Sequence, residues 1–372
     1  MEDVLIIGGG LAGLTCAIVL QKNGINVTLI EKNKYPFHRV CGEYVSNEIL
    51  PFLKSLNINV SELEPSILTH LSITSVSGKV LQTQLSMGGF GLSRYKFDDL
   101  LFRHAEKAGV KFIFEKVVDL SFNDNKFKVS LADNRIFEPT VVIAAYGKRS
   151  NLDQKLKRRF FYRRSPYLGV KYHIKTDLPS NLIRLDNFSG GYSGVCKIED
   201  DKYSLCYLSE TANLKKYAGI AEMEEQVLFK NPRLKYLFSN CEFLFKKPLV
   251  INEISFERKT LVEDHLLFCG DSAGMITPLC GNGMAIAIHS GKILAESILN
   301  SFKKDDGFNR VILEKSYQQN WDKQFALRLK SGRMIQKLFG SNLISNLSVS
   351  VLSNFPAITR QLVKKTHGKA FI

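Results

Sequence analysis

Recognisable metal-site and disulfide patterns are missing from this chain. Its seven cysteines, at positions 16, 41, 196, 206, 241, 269 and 280, are odd in number and contain no C-x-x-C pair. Its seven histidines contain no H-x-x-x-H pair. A zinc ribbon or a stapled secreted scaffold is therefore not expected, and reduced thiols in a cytoplasmic protein fit best. There is no basic n-region after Met1, so no signal peptide is expected. The uncharged stretch 4–20 carries four glycines and is short for a bilayer crossing, which argues against a membrane span. Acidic residues are scarce as well: 36 Asp and Glu face 51 Lys and Arg, a formal charge of +15. That excess suits an anionic surface, an acidic substrate or nucleic acid.

What is present is ordinary for a folded protein of two or three domains. Hydrophobic residues make up 45% and charged residues 23%, which excludes disorder, collagen and coiled coil. Val4 to Ile7 reads as a buried parallel strand, residues 11–23 as a helix ended by Asn23-Gly24, and Val27 to Ile30 as a second strand. Phe97 to Ala108 reads as a helix, Val110 to Phe114 and Val141 to Ala144 as strands, and Leu266 to Phe268 as a short strand before a long helix from about 283. Residues 155–255 instead alternate apolar and polar, as in Val170-Lys171-Tyr172-His173-Ile174. That is the pattern of antiparallel strands with one solvated face.

Gly8, Gly10 and Gly13 form G-x-G-x-x-G after a strand and at a helix start. The first allows the tight turn, the second admits a pyrophosphate close to backbone, and the third lets helix and strand approach. Leu11 and Ala12 complete the first helical turn, whose N–H groups face an anion. Glu31 ends the second strand, where a carboxylate accepts ribose hydroxyls, with Lys32 beside it. This unit fits NAD as well as FAD.

Phe268-Cys269-Gly270-Asp271-Ser272-Ala273-Gly274, with Pro278 and Gly281-Asn282-Gly283-Met284, resembles the second flavin motif of FAD oxidoreductases that share the p-hydroxybenzoate hydroxylase fold. By that resemblance Gly270 and Asp271 face the ribityl chain, and Gly281 to Met284 lie near the flavin ring. Without it, Asp271 reads as a helix cap. Arg94 to Leu101 resembles the family's R-x-x-F-D-x-x-L segment, where the arginine helps hold FAD, and Ala145 to Ser150 its A-D-G-x-x-S segment. The resemblance implies an α/β fold: a Rossmann-like FAD-binding domain, an inserted antiparallel β-sheet substrate domain and C-terminal helices. The expected division is 1–75, 96–155 and 256–323 for FAD, 76–95 and 156–255 for the sheet, and 324–372 for a basic helical section.

The run 270–291 is most similar to the geranylgeranyl reductase branch, as is Cys41-Gly42 after Arg39, a segment near the flavin in that branch. Flavin halogenases need W-x-W-x-I-P, and the single tryptophan is Trp321, so halogenation is not expected. Cys41 suits proton donation or substrate orientation by a thiol, or a small residue in a turn; Glu43 suits an acid/base group or a helix-approach residue. Tyr146 stands where the family has Asp, which puts direct reduction by NAD(P)H in question and suggests a separate electron donor.

Residues 324–372 hold eight Lys and Arg and no acid, interleaved with apolar residues at helical spacing. This fits an interfacial helix at an anionic membrane, at about 1 kcal/mol per basic residue, or a solvated basic face. A second cluster is Lys155, Lys157, Arg158, Arg159, Arg163 and Arg164. No base-stacking platform accompanies the charge, so nucleic acid is not expected. The expected function is FAD-dependent C=C reduction of a hydrophobic, lipid-like or carrier-bound substrate. The alternatives are flavin monooxygenation of a phenolic or polyketide lipid, and a non-catalytic flavoprotein that binds membrane or a partner.

Overall fold

The computed structural model describes residues 4–163, 165–277, 279, 281–302, 308–336, 339 and 341–372. Among the expected motif and cluster residues, Pro278, Cys280, Arg164 and Lys337 lie outside that set.

Val4–Ile7, Val27–Ile30, Lys111–Ile113, Val141–Ala144 and Leu266–Phe268 form a parallel sheet, closed at one edge by the antiparallel strand Val262–Glu263. Its central strands are apolar at every position because both faces are covered, one by helices and the other partly by the meander Val117–Asn123, Lys126–Leu131 and Ile136–Phe137. The helix Leu11–Lys22 is buried from Leu11 through Leu20, lying between this sheet and the long helix Gly283–Phe302. The sequence reading of these elements holds to within a few residues.

A second sheet of nine strands stands over the carboxyl ends of the first. Its order is Glu242–Phe243, Tyr167–Lys175, Tyr203–Glu210, Gly191–Lys197, Leu182–Phe188, Ser66–Thr74, Val80–Gly91 and Tyr44–Ser46, with Leu249–Ile254 also paired to Tyr167–Lys175. It is antiparallel except where Leu182–Phe188 meets Ser66–Thr74. Tyr44–Ser46 and Ser66–Thr74, which the sequence grouped with the nucleotide domain, pair in this sheet. The chain therefore enters this sheet twice before residue 75, packing Phe52 and Leu53 into the first domain's core in between.

One expectation about this sheet fails. Tyr167–Lys175 was expected to have a solvated face, yet residues 168–174 are all buried. Val170, Tyr172 and Ile174 pack with Met223, Leu234 and Leu237 from the helices Ile220–Val227 and Pro232–Asn240. The alternate residues Lys171 and His173 meet the 39–43 loop instead of water. Alternation recorded polarity correctly; the partner of the polar face is protein.

The C-terminal section is also less separate than expected. The helix Arg310–Gln336 runs without interruption through position 324. Its Leu313, Tyr317, Trp321, Phe325 and Leu329, spaced four apart, belong to the main core. Two further helices, Asn342–Asn354 and Pro356–Thr366, fold back along Val80–Gly91. No helix among the described residues is long and apolar enough to cross a membrane.

Candidate flavin and substrate site

The first turn after Val4–Ile7 is built to receive a phosphate. Gly8 has φ +108°, and a Cβ on Gly13 would stand 2.1 Å from the Gly8 carbonyl oxygen, so helix and strand meet as closely as backbone allows. No side chain caps the helix at Gly10, and its first turn, with Leu11 and Ala12, carries no acid, so the leading N–H groups stay open to an anion. Glu31 is buried; Oε2 accepts the Gly9 N–H at 2.9 Å and Oε1 the Asn33 N–H at 3.1 Å. Lys32 is exposed at the rim.

Two arginines converge beside this turn on one carboxylate that sequence reasoning did not single out. Asp98, 1% exposed, accepts Arg94 through Nε at 2.6 Å and Nη2 at 2.7 Å, and Arg39 through Nε at 3.0 Å. Arg39 also reaches Glu31 at 3.2 Å. The spacing of Arg94 and Asp98 on one helix was the available signal. The pair fixes two cations at the phosphate end of the cavity.

The second motif closes the same cavity from the opposite side. Asp271 lines it, and burial raises its carboxyl while the ammonium of Lys259 and the charge of Arg94 oppose the rise. Lys259 is itself buried, which lowers its ammonium to about 8, and it donates to the carbonyls of Lys148 at 2.8 Å and Asp271 at 2.7 Å. One lysine thus ties the segment after Val141–Ala144 to the Gly270-Asp271 turn. Gly281 has φ +66°, and a Cβ there would come within 2.7 Å of the Tyr44 ring. Asn282 and Met284 are buried at the start of the long helix, with Gly283 between them.

Cys41 and Glu43, the proposed chemical residues, lie in the same wall but in different states. Glu43 is fully buried with φ +58°. Its Oε1 accepts the Arg94 N–H at 2.8 Å and is ion-paired to the buried Lys171, and its Oε2 lies 2.7 Å from His173 Nε2. Burial alone would raise this carboxyl; Lys171 and then His173 outweigh it and hold it at about 2. The group is an ionised anchor between the 39–43 loop, the Arg94 helix and the large sheet. At neutral pH it carries no proton to give. Cys41 faces the cavity with its thiol raised by burial, so it keeps its proton. Neither Lys171 nor His173 carried a sequence signal, being 128 and 130 residues from Glu43.

Tyr146, at the family's Asp position, turns its hydroxyl to Asp153 at 2.6 Å. Asp153 is paired in turn with buried Arg158 at 3.0 Å, whose guanidinium lies 3.6 Å from the Phe268 ring centroid. Arg158, expected as part of a basic surface cluster, is therefore an internal strut.

Glu31, Arg39, Cys41, Arg94, Tyr146 and Asp271 border one cavity of about 750 Å³, which continues away from the phosphate end between the nine-stranded sheet and the C-terminal helices. Its far walls are aliphatic: Leu71, Leu81, Leu85, Ile183 and Leu185 from the sheet, and Val349, Leu352, Leu362 and Val363 from the helices. Tyr44 and His367, hydrogen-bonded at 3.0 Å, stand between the two halves. The tail beyond is held by Glu48, which accepts the Gly368 N–H and pairs with Arg328 at 3.0 Å.

The glycine cradle, the open helix terminus and the paired arginines fit an FAD pyrophosphate, and the cavity continues past Asp271 to Met284. Comparison with known proteins agrees. The FAD binding domain family matches residues 1–307. Protein FixC of Escherichia coli K12 is 28% identical over 374 residues, covering 90% of this chain and 84% of that protein. Digeranylgeranylglycerophospholipid reductase 1 of Methanosphaera stadtmanae is 26% identical, covering 87% and 81%. Among solved structures, the flavin-dependent brominase Bmp2 superposes with a TM-score of 0.81 at 20% identity, covering 100% of this chain and 94% of its own, a likeness of fold alone. The chain is a member of the FAD binding domain family, a flavoprotein oxidoreductase with the p-hydroxybenzoate hydroxylase-like fold and geranylgeranyl reductase-like relatives.

Proposed function

We propose that the protein reduces carbon–carbon double bonds in a long, apolar, lipid-like substrate. The observation that carries this reading is the aliphatic extension of the cavity beyond the flavin motifs. A chain lying there meets methyl and methylene groups with few polar partners, as a long isoprenoid requires. The similarity to a reductase of geranylgeranyl lipids supports the same chemistry. When bound and reduced, FAD supplies a hydride.

The chain's own contribution is to place the double bond, exclude water and keep a proton ready. Glu43 is unsuited to that last task because it is ionised and committed to three donors. The protonated Cys41 Sγ and the Tyr44 hydroxyl, hydrogen-bonded to His367, are among the groups in the wall that hold protons at neutral pH, with the thiols of Cys196 and Cys206 further along it. We assign Cys41 the donor role by its place beside Glu43 in the wall of the cavity that the second flavin motif also lines. Arg94, Arg39, Glu31, Asp271 and Gly281 to Met284 hold the cofactor. Tyr146 in place of an acid favours a protein electron donor over a nicotinamide, and a lipid-like substrate places the enzyme at the periphery of a membrane.

The test is anaerobic. Purified protein carrying FAD is reduced with dithionite and mixed with geranylgeraniol in detergent. Reoxidation of the flavin together with a product two hydrogens heavier supports the reading. No reoxidation until oxygen is admitted, with an oxygenated product, would replace it by monooxygenation.

A further inference from the structure

The helices Asn342–Asn354 and Pro356–Thr366 have two apolar sides, and only one is buried. Val349 and Leu352 on the first, and Leu362 and Val363 on the second, line the cavity. Leu343, Leu347 and Val351, spaced four apart, lie on another face and are 84%, 67% and 45% exposed. Phe355 and Ile358 continue the exposed row at 53% and 50%. An uninterrupted row of this kind is unusual on a protein that meets only water.

Charge argues for what covers it. From residue 323 to 372 the sequence has no Asp or Glu, while Lys330, Arg360, Lys364 and Lys369 are exposed. Two copies of this face brought together would set like charge against like charge, which opposes self-association. An anionic leaflet offers the opposite sign together with an apolar interior, which suits an exposed apolar row on a segment whose exposed charges are all basic.

The face also adjoins the cavity. A second hollow of about 480 Å³, lined by Val80, Gln82, Leu352, Ser353, Pro356 and Thr359, shares Leu352 and Thr359 with the main cavity wall. We propose that the exposed row of the last two helices docks on an anionic lipid surface, with the seam between these helices and Val80–Gly91 turned toward the leaflet. A lipid chain entering there reaches the cavity without passing through water. The choice of lipid as the partner rests on the substrate reading above; the docking itself is measured without substrate.

The experiment uses the full-length protein with FAD bound, sedimented with vesicles of phosphatidylcholine alone or with about 30% phosphatidylglycerol. Binding to the anionic vesicles is expected, falling as salt is raised from about 0.1 to 0.5 M. The triple substitution Leu347→Ser, Val351→Ser, Phe355→Ser should weaken it at least about tenfold, and so should Arg360→Gln with Lys364→Gln. Flavin absorbance and far-ultraviolet circular dichroism should be unchanged in both variants. Absence of vesicle binding, or equal binding by the variants, overturns the proposal. So does a dimer in the wild type that the triple variant converts to monomer, because the row would then be a self-association surface. Turnover of geranylgeraniol in detergent without vesicle binding removes the docking and leaves the reductase; vesicle binding without turnover does the reverse.

Discussion

Replacing Lys171 by Met isolates the contribution of the buried ion pair under the large sheet. Lys171 and Glu43 are both fully buried, so the substitution leaves the carboxylate with only His173 and the Arg94 N–H. Removing one partner of a buried pair costs about 3–5 kcal/mol, because the surviving charge is uncompensated. Burial raises the Glu43 carboxyl, and Lys171, the largest opposing influence, with His173 brings it to about 2 against an ordinary 4.5. The sign follows from the lowered value: the stabilisation is present above pH 4.5 and is lost as pH falls toward 2. Lys171→Met should therefore lower stability by about 3–5 kcal/mol at pH 7 and move the acid transition to higher pH. Urea unfolding followed by circular dichroism, at fixed excess FAD, measures the first effect, and an acid titration the second. Adding Glu43→Gln should recover at least about half of the loss, since no unpaired charge then remains. A Lys171→Met protein within about 1 kcal/mol of wild type, or a double variant with additive losses, would refute the reasoning.

Gly13→Ala should abolish FAD retention through gel filtration, because the new methyl meets the Gly8 carbonyl at 2.1 Å. Asp98→Asn removes the charge that pairs Arg94 and Arg39; FAD affinity measured by fluorescence quenching should fall about tenfold or more. If Cys41 donates the proton, Cys41→Ala should lower the rate of substrate-dependent flavin reoxidation by about 10²–10⁴-fold while leaving FAD affinity within about twofold. Leu352→Trp fills the far wall, so turnover of a C20 prenol should fall much more than that of a C10 prenol.

What could be read from sequence was local. Gly8 to Glu31 lies within one strand-helix-strand unit, where spacing along the chain nearly equals spacing in space. Asp271 and Gly281 to Met284 were assigned only through the resemblance to a flavin motif, since by itself the local pattern reads as a helix cap. The Glu43 centre was opaque because its members come from a loop and a strand in different domains. In Lys171-Tyr172-His173, alternation shows that two polar side chains share a face, and nothing in the pattern says whether water or a carboxylate lies opposite. Arg158 was misplaced by its neighbours: Lys155, Lys157, Arg159 and Arg163 are exposed, and only the fold reveals that Asp153, five residues earlier, turns Arg158 inward.

The C-terminal helices show a different kind of ambiguity. Apolar residues at helical spacing among lysines and arginines have the same pattern whether the apolar side covers a protein core or a lipid leaflet. Here one pair of helices carries apolar residues on different faces: Val349 and Leu352 turn in to the cavity wall, while Leu347 and Val351 turn out. The arrangement also separates functions along the cavity. The phosphate end is fixed by backbone geometry and a buried carboxylate, whereas the far end is walled by aliphatic side chains on terminal helices, where exchanging one side chain for another alters volume without disturbing the cradle. A fold divided in this way can retain one cofactor while the accepted substrate changes.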